Sequence, residues 1–186
     1  MARGTHSPLL KGISGQLGKQ LVVKQYGDKI VLAKYPDMDR VKPSELQKLK
    51  RSRFAEAMKY AQSQMRSPEG RALYAIKVTA SRRALNVAMS DFYHAPVVKE
   101  IDLQFFRGQG GDRLLIWAED DFLVERVEVH LYLPNGTLGE QGEACLNVEG
   151  WWVYSVVNMY PDLTGIKIEA TAWDRPGNQG SREVVV

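Results

Sequence analysis

The chain has 186 residues, 25 Lys+Arg against 22 Asp+Glu for a formal net charge of +3, 44% hydrophobic residues and one cysteine. That length suffices for one large domain or two small ones, and the composition is that of an ordinary soluble globular protein. No apolar run reaches the ~18 residues that span a bilayer, and Cys145 alone excludes an intrachain disulfide or a multi-cysteine zinc site, so its expected role is a small hydrophobe in a strand.

The start of the chain has no apolar core of the secretory kind, so the expectation is cytoplasmic residence at synthesis, compatible with a final place in an exported or phage-like particle. Charge is divided unevenly. Residues 1–97 hold 18 Lys+Arg against 7 Asp+Glu, or +11, and residues 98–186 hold 7 against 15, or −8. Such polarity bears on partners rather than on fold.

Residues 1–18 lack periodicity and read as a mobile lead-in, with glycines at 12, 15 and 18. Two β-rich runs follow, Gln20 to Tyr26 and Lys29 to Tyr35, separated only by Gly27-Asp28, which is a strong hairpin signal. Leu21, Val23, Ile30 and Leu32 supply its apolar side. A lone hairpin is marginal in water, so this one needs the helices, the sandwich or another chain to lie on, with Val23 and Ile30 as its docking residues. Asp37 to Pro43 is a polar connector.

Ser44-Glu-Leu-Gln47 is a capping box, and a helix is expected to start there. Leu46, Phe54, Ala57, Met58, Ala61 and Met65 recur at a helical period and predict its buried face. Ser67-Pro68 stops this helix and starts a second, carrying Leu73, Ile76 and Ala80 inward. Ser81 is the expected cap of a third, with Ala84, Leu85, Ala88, Met89 and Phe92 on its apolar stripe. Pro96 closes the helical belt, so 19–95 and 96–186 are the expected domains.

Beyond Pro96 the period changes to two. Strands are expected near Glu100 to Phe106, Arg113 to Ala118, Val124 to Leu133, Thr137 to Leu146, Trp151 to Val157, Gly165 to Trp173 and Ser181 to Val186. Seven short strands in about ninety residues is the pattern of an immunoglobulin-like sandwich. The fold class is therefore α+β: an N-terminal β-hairpin and about three α-helices, then a seven-stranded immunoglobulin-like β-sandwich.

Two resemblances accompany this reading. The segments Ala118-Glu-Asp120-Asp121-Phe122-x-Val124-x-x-Val127-x-Val129, Asn135-Gly136, Trp152-x-Tyr154 and Gly165-x-x-x-x-Ala170-x-Ala172-x-Asp174-x-x-Gly177-Asn178 resemble bacterial immunoglobulin-like modules. Gly15-x-x-Gly18-Lys19, Lys34-x-Pro36 and Ser44-x-x-Gln47-x-x-x-Arg51-x-x-Phe54 resemble a family of uncharacterised Bacteroidetes proteins that also run hairpin, helices, sandwich. Asp37-Met-Asp39 departs from that family's more basic connector. Both resemblances imply architecture and assign no activity.

Few residues point to chemistry, and no catalytic residues are expected. His6, His94 and His130 have no metal-type spacing. Nucleophile elbow, Walker loop and dinucleotide fingerprint are missing, and Gly108-Gln-Gly110-Gly111 reads as a turn between strands. Asp120, Asp121 and Asp174 are calcium candidates if two acidic loops meet at one end of the sandwich; the other reading is that Asp120 and Asp174 fix turns through nearby amides. Trp151 and Trp152 must face opposite sides of a strand, and the outward one is a candidate partner contact, with Trp151 taken for that role.

Lys48, Lys50, Arg51 and Arg53 scatter around their helix, with Glu45 placed to pair with Lys48. Arg82-Arg83 at a helix start is unfavourable for the dipole and suggests an acidic partner surface. Lys48, Arg51, Arg82, Arg83, Val23, Ile30 and Trp151 are thus the partner-binding candidates. The expected function is a non-enzymatic structural or assembly protein that self-associates or docks onto a larger multi-protein assembly. Nucleic-acid binding by the basic half and carbohydrate binding by the sandwich stay open as alternatives.

Overall fold

The computed structural model describes residues 2–4, 14–18, 20–26, 29–36 and 42–186. The chain divides into two compact units, Met1–Leu49 and Lys50–Val186.

In the first unit, β1 (Ala2–Gly4), β2 (Gly15–Leu17), β3 (Leu21–Tyr26) and β4 (Lys29–Lys34) form an antiparallel sheet of order β1-β4-β3-β2. The expected hairpin is its centre, paired from Leu21 opposite Lys34 to Tyr26 opposite Lys29. Two short runs from the expected lead-in are its outer strands. The Gly27-Asp28 connection, His6, Gly12 and residues 37–41 lie outside the described residues. Directly opposed residues share a face, so the pairing puts Leu17, Leu21, Val23, Ile30 and Leu32 on one side. Val23 is a fully buried hydrophobic side chain of this unit.

Helix α1 (Glu45–Arg66) starts as its sequence predicts, with the Gln47 amide donating to Ser44 Oγ at 3.3 Å and the Ser44 amide to Gln47 Oε1 at 3.1 Å. Its buried face is narrower than the periodicity implies. Only Ala57 and Ala61 are buried, while Leu46 and Phe54 are 61% and 51% exposed, because the packing of α1 in the second unit's apolar cluster falls on its C-terminal half, at Tyr60, Ala61 and Met65. Helix α2 (Pro68–Ala75) is capped by Ser67 Oγ, which accepts from the Gly70 amide at 3.0 Å. Helix α3 (Ala84–Tyr93) is capped by Arg83 without a side-chain bond. Ser81, the expected cap, sits instead in a tight turn closed by Thr79 and Arg82. Ile76 and Ala80, expected inside, lie past the end of α2 and are exposed.

Seven strands follow: β5 (Val97–Asp102), β6 (Arg113–Glu119), β7 (Val124–Tyr132), β8 (Leu138–Leu146), β9 (Trp152–Ser155), β10 (Lys167–Asp174) and β11 (Gln179–Val185), in the order β11-β10-β7-β8-β9-β6-β5. All pairings are antiparallel, and β8 pairs with β7 on one side and β9 on the other. The sheet turns over at β8, so that β5, β6 and β9 face β7, β10 and β11 across one core. Strand alternation supplies that core: Leu114 and Ile116 from β6, Val127, Val129 and Leu131 from β7, Ile168, Ala170 and Ala172 from β10. Each fully buried Leu or Ile here is worth roughly 1.5–3 kcal/mol. The first strand begins three residues earlier than expected, directly after Pro96, and ends where Asp102 Oδ1 takes the Gln104 amide at 2.8 Å. Gly108 to Asp112 is a turn, as its glycines predict, organised by Asp112. Among the described residues no helix is long and apolar enough to cross a membrane.

Candidate functional site at the end of the sandwich

The loop between β6 and β7 carries Phe122 into the helices, where it joins Ala61, Tyr74, Val87 and Ala88 in a second apolar cluster. Tyr74 stacks on the Phe122 ring with centroids 4.6 Å apart. Its hydroxyl links all three helices: it lies 2.7 Å from the Tyr60 hydroxyl of α1 and donates to Asp91 Oδ2 of α3 at 2.5 Å. Burial drives the Tyr60 phenol up to about 12 and the Tyr74 phenol well above its ordinary range, so both hydroxyls remain protonated donors.

Asp91 is fully buried, and its Oδ1 has no hydrogen-bond partner. Burial raises its carboxyl to about 7 against the pull of the Tyr74 hydrogen bond, with Asp120, Asp174 and Asp121 adding repulsion. Donor oxygens of Asp91, Asp120 and Asp121 lie within 4.8 Å of one another. Asp120 fixes the loop through Oδ2, which accepts from the Phe122 and Leu123 amides at 3.1 and 2.9 Å, while its buried Oδ1 is unpartnered. Asp121 Oδ2 accepts from Ser90 Oγ at 3.0 Å and lies 3.0 Å from His94 Nδ1. Lys77 directs its ammonium to the main-chain oxygens of Asp121 and Phe122, at 2.7 and 3.0 Å.

The closing motif of the sandwich borders the same place. Asp174 Oδ1 accepts from the Gly177 and Asn178 amides at 2.9 and 2.6 Å, the turn-fixing role that one reading gave it. Burial nevertheless raises its carboxyl above the usual range. Asn178 Nδ2 bonds Asp174 Oδ2 at 2.7 Å and faces the Phe92 and His94 carbonyls, each at 3.3 Å, thereby satisfying the orphan end of α3. Arg175 reaches Gln64 Oε1 at 3.4 Å and Glu69 Oε1 at 3.5 Å.

Two of the three calcium candidates, Asp120 and Asp121, are thus brought together, and Asp91 joins them. Sequence reasoning missed Asp91, although its spacing from Ala84 and Ala88 made it an acid on the apolar stripe of α3.

The partner-binding candidates are divided between the two units and sit on separate elements. Lys48 pairs with Glu45 at 2.7 Å, Arg51 is exposed on α1, and Arg82 and Arg83 occupy the turn before α3. Arg53 lies over the Tyr93 ring, 5.5 Å from its centroid. Val23 and Ile30 share the apolar face of the N-terminal sheet. Trp152 is in the sandwich core, whereas Trp151 points outward and packs edge-on to Trp117 at 5.2 Å. Cys145 lies in a strand as expected, but it is exposed, because its side chain falls on the outer face of β8 opposite Val153.

No family model matches the chain. No curated protein matches it either. Matching solved structures include a crystal structure of a tetra-tandem repeat in the extending region of a large adhesion protein, with 21% identity and a TM-score of 0.32. The match covers 49% of this chain and 22% of that one, so it spans about a fifth of that protein's length. A likeness at this level carries no functional argument. The resemblance of the N-terminal half to Bacteroidetes proteins rests on its residues alone.

Proposed function

We propose that this chain is a non-enzymatic structural protein that assembles with further copies of itself through its N-terminal sheet. The observation that carries this reading is the open apolar face of that sheet. A two-layer unit normally buries such a face, yet here Leu17 and Leu21 are 49% and 43% exposed beside the buried Val23. Four strands, two of them three residues long, bury too little to hold this surface in water without a covering partner. Opposed charge supports a second copy as the cover. The basic first half of one chain attracts the acidic second half of another, and a head-to-tail contact of that kind builds rings or filaments.

Light scattering and negative-stain microscopy over a range of protein concentrations test the proposal. Mass should rise with concentration, and Leu17→Asp with Leu21→Asp, at the exposed positions of that face, should return the chain to monomer while leaving its β-type circular dichroism. A monomeric chain that co-purifies with another protein at fixed stoichiometry would move the same surface to a repeating partner. A strictly monomeric sample in low salt at high concentration, with nothing bound, overturns the proposal.

A further inference from the structure

Independently of assembly, the carboxylates at the end of the sandwich have an unresolved electrostatic problem. Three acids come together from two elements, Asp91 from α3 and Asp120 and Asp121 from the β6–β7 loop. Two of their oxygens, Asp91 Oδ1 and Asp120 Oδ1, are buried with no donor. Buried carboxylate oxygens are costly to leave unsatisfied, and adjacent like charges add to that cost. The nearby basic side chains do not resolve it: the Lys77 ammonium is used on main-chain carbonyls, and His94 Nδ1 lies against Asp121 Oδ2 and Ser90.

We propose that Asp91, Asp120 and Asp121 bind a hard divalent cation, calcium by size, which fastens helix α3 to the β6–β7 loop. The donor set is entirely oxygen, the chemistry that selects calcium, magnesium or manganese over softer metals. Calcium accepts irregular sets of six to eight oxygens at about 2.3–2.6 Å, which three carboxylates within 4.8 Å of one another can begin to supply, whereas magnesium demands a near-ideal octahedron at about 2.0–2.1 Å. Asp91 Oδ1 and Asp120 Oδ1 are the inner ligands and Asp121 the solvent-side ligand, giving up its contact with His94. Water completes the six to eight positions that calcium takes. Asp174 stays outside the set, its two oxygens held by Gly177 and Asn178.

The rival is that the carboxyls share a proton and need no ion, which the raised Asp91 makes a real alternative. Working at pH 8 separates the two. Isothermal titration of the full chain, stripped with chelator, should give one calcium site. Melting should rise by roughly 3–6 °C for each tenfold excess of calcium over its dissociation constant. Magnesium at the same concentration should give a smaller rise. Asp91→Asn should abolish the calcium increment while leaving the calcium-free melting temperature equal or higher, since a neutral amide removes repulsion and can donate to Asp120. Asp121→Asn, at an exposed position that does not endanger folding, should weaken calcium at least tenfold. No heat and no increment in the wild type, an equal increment from magnesium, or unchanged calcium binding by both variants overturns the assignment.

Discussion

Asp112 and Asn178 show how single polar side chains shape this fold. The amides of Gln109 and Arg107 donate to Asp112 and hold its carboxyl below the usual carboxylate range. A depressed value in the folded state means that the stabilisation is present above the unfolded value near 4 and is lost as pH falls through the folded one. Asp112→Asn keeps an acceptor but cannot titrate, so the stability gap between it and the wild type should close as pH drops below about 4 in denaturant melts. A gap constant from pH 7 to 2 would remove the charge from the account. Asn178→Ala leaves the Phe92 and His94 carbonyls and one Asp174 oxygen without their donor, and should cost about 1–3 kcal/mol in chemical unfolding. Of these roles, the Asp174 turn was legible in the sequence, because Asp-x-x-Gly is a local signal. The contacts of Asn178 with α3 were not, since nothing local ties a residue to carbonyls 84 to 86 positions earlier.

At the scale of elements, period and capping residues located the helices and most strands to within a few positions. They failed where packing decides. The Leu46 and Phe54 stripe is as periodic as any, yet a helix stripe is buried only where something meets it. Likewise β1 and β2 are three residues each and pair only because β3 and β4 offer edges, so no window over residues 1–18 could reveal them. Strand β11 passes close against the join between α3 and β5. A Cβ on Gly180 of β11 would fall 1.9 Å from the Pro96 carbonyl oxygen. Gly180→Ala should therefore cost at least about 1–3 kcal/mol through forced backbone movement, measured as a lowered melting temperature. A fragment starting at Ala95 retains the whole sandwich core but uncovers Phe122 and strips Asn178 of its helical acceptors. It should fold as a β-protein melting below the full chain; an unfolded fragment in circular dichroism would make the helices part of the sandwich's own stability.

For the whole molecule, charge division was legible as a count and the partner was not. Surface charges more than about 8 Å apart are largely screened at physiological salt, so steering by the +11 and −8 halves should fade with ionic strength while the apolar sheet contact persists. Sedimentation at about 20 mM and 500 mM salt should accordingly show slower association in the second, with the same assembled species at high protein concentration. Loss of every assembled species at 500 mM would leave charge as the sole contact. The carboxylate cluster was half legible: acidic loops announce themselves, whereas one acid among alanines on a helix does not.

The contact between Asn178 and the end of α3 also sets an order of events on the ribosome. Helix α3 emerges 84 residues before the amide that completes its C-terminus, and Pro96 emerges as far ahead of Gly180, which closes against it. Nascent chains ending before the last hairpin therefore carry α3 with open carbonyls and an unfinished sandwich. The helices can lock only once the β10–β11 turn and β11 have emerged, and until then the unpaired strand edges and uncovered apolar core leave the nascent chain prone to aggregation.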